Sequence, residues 1–202
     1  VSFSLHIQRF ETDTLFYRQS HVLRYLGYGE GQADSTVLSQ LKAAYAELCR
    51  YAEPRAVYSR LPLSSPEADT LLIGSLEWHS RDLCRCLSDC REVLVLAATL
   101  GAGVDRLIAR TSVLSPATAV ITDALASDMI ECVCDRLCQT FSEDGMRLRP
   151  RYSPGYGDLP LSVQGELLSL LSAPTRIGLS VNHASMMTPT KSVSAIVGIL
   201  PS

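Results

Sequence analysis

The residues best equipped for chemistry lie in RYSPGYGDLP, positions 151–160. This stretch holds one arginine, two tyrosines, two glycines and two prolines. Pro150 and Pro154 hold the chain extended around Arg151 and Ser153, because proline fixes φ and biases the residue before it away from helix. Gly155 and Gly157 permit positive φ and let a ligand approach the backbone closely. Arg151 offers a planar fork suited to a carboxylate. Tyr156 offers a ring face for a nucleobase or a sulfonium cation. Peptide groups outside any ladder can also face a polar ligand. These are the parts needed to bind a nucleoside that carries an amino acid, although loops rich in glycine and proline are more often plain turns.

Other chemistry-bearing groups are weaker candidates. Cys84, Cys86 and Cys90 in CRCLSDC share a spacing with Cys132, Cys134 and Cys138 in CVCDRLC. Thiolates so grouped could hold zinc or an iron–sulfur cluster, and the two triplets together could supply six ligands. Both fall in expected helices, however, where only the pair four apart shares a face. Buried free cysteine acting as a small hydrophobe is the commoner case, so no metal ligand is assigned. TLGAGVD (99–105) is placed where phosphate could meet helix N–H groups, but it lacks the third glycine of a dinucleotide fingerprint and the Lys-Ser/Thr of a P-loop. It reads as a tight turn. His79 could pair with Asp82 or Glu77, and His183 and Lys191 flank the approach to the last strand. None of them has the spaced partners of a nucleophilic triad or a metal set. Asp123, Ser127 and Glu131 share a helix face at spacing four, usually a solvated stripe, though it could line a cleft. No catalytic residue is assigned.

The elements that must position these groups follow from the pattern. The chain has 202 residues, 47% of them apolar and 19% charged, with net charge −3. That is a globular composition, and the chain reads as a single domain over 1–202. It gives no basic run for nucleic acid and no apolar run near the roughly 20 residues that span a bilayer. No basic region followed by an apolar stretch opens the chain, so no signal peptide is expected. Seven cysteines in a chain of this size read as reduced thiols of a cytoplasmic protein. Strands are expected at 2–7, 56–63, within 91–100, at 176–181 and at 192–200, the last two as antiparallel neighbours. Helices are expected over 11–26, ending at Gly27, and from Asp34 or Ser35 to before Pro54. Others should start at Ser80, after Gly101, over 118–141, and behind Ser162. SSPEAD reads as a turn, and TLLIGSLEW is ambiguous. Strands and helices mix without a regular βαβ period, which gives an α+β fold.

Arg-Tyr-Ser-Pro-Gly-Tyr resembles the Arg-Pro-Ala-Pro-Gly-Tyr motif of the activation domain of cobalamin-dependent methionine synthase. LRYLGYGEG, CREVLVLAATLGAGVDRLI, DALASDMIE and PTKSVSAIVG resemble stand-alone relatives of that domain, in the same order and over nearly the whole chain. The resemblance implies a twisted, mainly antiparallel sheet with flanking helices. It implies S-adenosylmethionine as bound ligand, with Arg151 on its carboxylate and Ser153, Gly155 and Tyr156 lining the pocket. It also implies reductive remethylation of cobalamin carried by a partner, a methionine synthase or another corrinoid protein. A flavodoxin-like electron donor would serve this methyl transfer, and no catalytic base is needed. Tyr152 stands where the family has proline, and Ser194–Val197 lacks the aromatics that face the ligand in full-length enzymes. A cysteine-ligated redox protein and a non-catalytic interaction module of the same fold are the alternatives.

Overall fold

A computed structural model describes residues 3–29 and 33–201. In chain order the elements begin with strand β1 (His6–Arg9), a 3₁₀ turn (Thr12–Thr14), helix α1 (Gln19–Tyr25) and helix α2 (Ser35–Tyr51). Then come strands β2 (Arg55–Glu67), β3 (Thr70–Ile73) and β4 (Leu76–His79), helix α3 (Arg81–Cys86) and strand β5 (Glu92–Thr99). Helices α4 (Ala102–Leu114) and α5 (Pro116–Glu143) precede the short strand β6 (Arg147–Leu148). Helices α6 (Val163–Leu170) and α7 (Ala173–Ile177) lead to strands β7 (Ser180–Val181), β8 (Met187–Thr188) and β9 (Ser192–Leu200).

The main sheet runs β4-β3-β2-β5-β9-β6, with β1 also on β2, and every pairing is antiparallel. The fold is α+β, with a mainly antiparallel open sheet flanked by helices. Strand β5 is central. From Val93 to Thr99 each residue is buried, because both faces of the sheet are covered. Leu94, Leu96 and Ala98 point into a core shared with α2, α4 and α5. Val93, Val95 and Ala97 point into a second core with α3, α6 and α7.

Local signals fix most helix ends. The Asp34 carboxylate accepts from Val37 N–H at 2.9 Å and caps α2; the Ser80 hydroxyl accepts from Leu83 N–H at 3.0 Å and caps α3. Ser115 caps α5, with Pro116 in the first turn, where its missing N–H leaves nothing unsatisfied. Gly27 sits at φ +80 after α1, and Gly27 and Tyr28 N–H close back on Arg24 and Leu23.

Several expectations fail. The helix expected over 11–26 is a 3₁₀ turn, an extended link and a seven-residue helix. SSPE continues β2, and the turn is confined to Ala68 and Asp69. TLLIGSLEW, left ambiguous by its sequence, is a hairpin folded at Gly74. Ser162 precedes α6 without a side-chain cap bond. The RIG of RIGLSV closes α7, with Gly178 in the left-handed region. Its last residues pair with β8 in a separate two-stranded sheet, so β9 is not their neighbour. The first expected strand lies a few residues later, at His6–Arg9. The LRYLGYGEG stretch, 23–31, falls partly outside the described residues.

Candidate functional site

The 147–160 segment leaves α5 through a turn at Gly145 and runs back along β9. Arg149 N–H donates to Gly198 O, and Tyr152 and Ile196 exchange both backbone bonds at 2.8 Å. Pro150 lacks an N–H, and the ladder is interrupted between these contacts. The chain then leaves the sheet. Tyr156 N–H donates to Ser153 O, Leu159 N–H to Tyr156 O, and Gly155 N–H to Leu159 O, at 3.0–3.1 Å. The N–H groups of Gly155 and Tyr156, which the sequence leaves open for a ligand, are thus spent inside the loop.

Two contacts pin the loop to α3. The Asp158 carboxylate accepts from the Ser80 hydroxyl at 2.5 Å and from Arg81 and Asp82 N–H at 2.8 and 3.2 Å. The Ser80 hydroxyl first, then the two peptide N–H groups, hold its pKa below the usual carboxylate value. Gly157, at φ +53, packs so closely that a Cβ would lie 2.5 Å from both Asp82 Oδ2 and Tyr152 Oη. The Tyr152 hydroxyl donates to Tyr156 O at 3.1 Å, and the two rings meet edge to face.

Arg151, Ser153 and Tyr156 line one open cleft of about 390 Å³, with Glu131, Cys138, Arg149, Pro150 and Val193. Gly155, at φ +90, shapes the turn between Ser153 and Tyr156 and is not among the lining residues. The cleft volume falls in the range of about 300–1,000 Å³ found for small-molecule sites. Tyr156 is 61% exposed at the opening. From β9 the cleft takes Val193, whereas Ser194 donates to Gln164, and Ala195, Ile196 and Val197 fill the two cores.

Arg151 is already engaged. One amino group meets Glu131 Oε2 at 2.6 Å, and the other meets Asp135 Oδ1. Burial pulls its pKa down, but the Asp135 hydrogen bond and the nearby acidic groups outweigh this, and the net shift is upward. The Asp123-Ser127-Glu131 stripe, extended by Asp135, is therefore not merely solvated. Lys191 Nζ lies 2.8 Å from Asp123 and 2.9 Å from Ser127 Oγ, and Arg151 takes the next turns of α5. Sequence reading missed Asp135 as a partner of Arg151; its only signal was the spacing of four after Glu131.

The other candidates find structural roles. Cys84 and Cys90 pack in the core beneath α6 and α7, while Cys132, Cys134 and Cys138 pack in the core beneath α5. These cores lie on opposite faces of β5, so the triplets cannot pool six ligands. Cys90 also lies beyond the end of α3. Burial is the leading cause of every resolved thiol shift in the triplets, and the shifts of Cys84, Cys90, Cys132, Cys134 and Cys138 are all upward. Among the described residues, no group of three or more His, Cys, Asp or Glu is arranged to hold a metal ion. Gly101, at φ +84, makes the TLGAG turn, and Gly103 presses against the Tyr51 carbonyl. His79 meets Thr70 Oγ1 at 3.2 Å and Glu77 at 3.6 Å, and His183 is exposed.

Fold and cleft together define an α+β protein whose arginine-bearing loop hangs on an inner strand of an antiparallel sheet. The fold is that of the MetH reactivation domain solved bound to AdoHcy: TM-score 0.76, 14% identity, with 98% of this chain and 79% of that chain covered. No family model matches the sequence, and no curated protein does.

Proposed function

We propose that this protein binds S-adenosylmethionine in the 149–156 cleft and presents its methyl group, in trans, to a corrinoid protein. The partner would be a cobalamin-dependent methionine synthase or a related methyltransferase. The supporting observation is that Arg151, Ser153 and Tyr156 share one opening, in the fold of a reactivation domain solved bound to AdoHcy. In this reading Arg151 grips the ligand carboxylate, and Glu131, 2.6 Å from its guanidinium, stands ready for the adjacent ammonium. Tyr156 offers its ring at the exposed mouth, where a partner can reach the methyl group. The partner's cobalamin would supply the methyl acceptor, with one electron from a flavodoxin-like donor. This chain contributes positioning, which needs no general base. Seven unpaired thiols suit a reducing compartment such as the cytoplasm. No described helix is long and apolar enough to cross a membrane.

Titration calorimetry with S-adenosylmethionine tests the reading. The expected result is one site per chain, weakened at least about thirtyfold by Arg151→Gln, since truncating one side of a hydrogen-bonded charge pair costs about 2–5 kcal/mol. No heat at about 1 mM ligand, a concentration that detects affinities near 4 kcal/mol, overturns it.

A further inference from the structure

Arg151 is over-supplied with carboxylates. Glu131 and Asp135, one turn apart on α5, both hold its guanidinium. Asp135 is shared: its other oxygen meets Arg18 Nη1 at 2.9 Å. Arg18 in turn meets Asp128 Oδ1 at 2.9 Å, and the Asp128 side chain is 1% exposed. His21 Nδ1 also lies 3.5 Å from Asp128 Oδ1. With that ring neutral, three carboxylates face two guanidiniums, an excess of one negative charge. The flanking pairs, Arg149–Asp89 and Lys191–Asp123, are each neutral and do not cancel it. Asp135 holds the guanidinium from outside the cleft lining. It therefore adds charge to the cleft without occupying its space.

We infer that Asp135 is a specificity-determining residue: through Arg151 it gives the cleft a net negative charge that selects a cationic sulfonium nucleoside over its neutral thioether counterpart. The inference rests on the ligand reading above. The two ligands differ by a methyl group and one positive charge at sulfur. In the amino-acid moiety they share, ammonium and carboxylate cancel. A methyl donor must be held and its spent thioether released, so a charge criterion favours turnover in that direction. One net charge acting from about 8 Å, with an effective dielectric constant of about 40, between the protein-surface and bulk-water values, gives a preference of about fivefold. Asp135 is a positioning residue in this scheme, because it acts through the guanidinium it holds.

The test is calorimetry with S-adenosylmethionine and S-adenosylhomocysteine on the wild type, Asp135→Asn and Asp135→Glu, at about pH 8, where a histidine ring is ordinarily neutral. The sulfonium preference should be about fivefold in the wild type, near one in D135N, and restored in D135E. A purely structural role for Asp135 would weaken both ligands together and leave their ratio unchanged, and that result overturns the inference. The wild-type ratio gives a second measure that needs no variant. Raising salt from about 0.05 M to about 0.5 M shortens the screening length and should bring the ratio toward one; a salt-independent ratio also counts against the proposal. Absence of heat with either ligand in all three proteins overturns the ligand assignment itself, and the inference with it.

Discussion

Replacing Gly157 by alanine probes how firmly the cleft loop is held. The new Cβ would fall 2.5 Å from Tyr152 Oη and 2.5 Å from Asp82 Oδ2, far inside contact distance. Both are tips of side chains, so they can swing away. For Tyr152 that movement breaks its hydrogen bond to Tyr156 O. The loss is about 1 kcal/mol. At φ +53 the backbone is left-handed, which costs an L-residue about another 1 kcal/mol. The sum, about 2 kcal/mol, lowers the melting temperature of a chain this size by about 4–8 °C. Gly155→Ala carries the backbone penalty too, but its Cβ would meet the exposed Leu161 side chain at 3.3 Å, which can yield. Its drop should be about half as large. Thermal melts of G157A, Y152F and the double variant form the assay. Removing the hydroxyl first takes away the Tyr152 clash and the bond and leaves only the Asp82 contact, so the double variant should lose about 1 kcal/mol less than the sum of the singles. Additive losses, or a G157A melt within about 1 °C of wild type, would refute the packing argument.

Other perturbations have equally definite outcomes. In Gly103→Ala a Cβ would collide with the Tyr51 carbonyl oxygen, which is backbone and cannot swing aside. Helix α4 must then move off the end of α2, and denaturant unfolding should show a loss of about 3 kcal/mol, the upper range for overpacking. Asp158 has a folded pKa below its usual value, with the Ser80 hydroxyl as first cause. Its contribution is therefore complete above the ordinary carboxylate range near 4 and is lost as pH falls through the folded value. Hydrogen exchange at Gly155 and Leu159 N–H should accelerate more in that acid range than exchange at Tyr152 N–H. Burial first, then Asp128, pushes Cys132 up to about 11. At pH 8 about one thiol in a thousand is ionised, so iodoacetamide should alkylate Cys132 slowly in the native protein and quickly after denaturation, as mass spectrometry can show.

Features set by neighbours in sequence were readable from it. Asp34 and Ser80 announce their helices because a cap is a contact across three residues, and Gly27 ends α1 through an equally local turn. Strand β5 is legible because double burial demands an unbroken apolar run. Reading failed where distant partners decide. SSPEAD reads as a turn, but β2 runs on to Glu67 through a register shift against β3 between Ser64 and Glu67, where an extra residue is accommodated. Ile177, Leu179 and Val181 alternate like a strand, yet Pro174 opens a helix and Gly178 closes it. At the cleft, RYSPGY drew attention by its composition and by its resemblance to a family motif. Its counter-charges lie 16 and 20 residues away on α5, and such ion pairs leave no mark in local sequence. The triplet spacing of the cysteines, conspicuous in sequence, proved uninformative because the sheet separates them.

The pairing of Tyr152 with Ile196 has a consequence for how the cleft opens. Arg151 is flanked by backbone bonds to β9, and β9 is locked along eight register positions to β5. Peptide groups bonded to a strand held in this way exchange with solvent more slowly than those of a loop bonded only to itself. The cleft floor therefore opens more slowly than Ser153–Leu159, which forms a separate, quicker unit hung from it. Any binding event that reshapes the cleft has the second unit to work with and not the first.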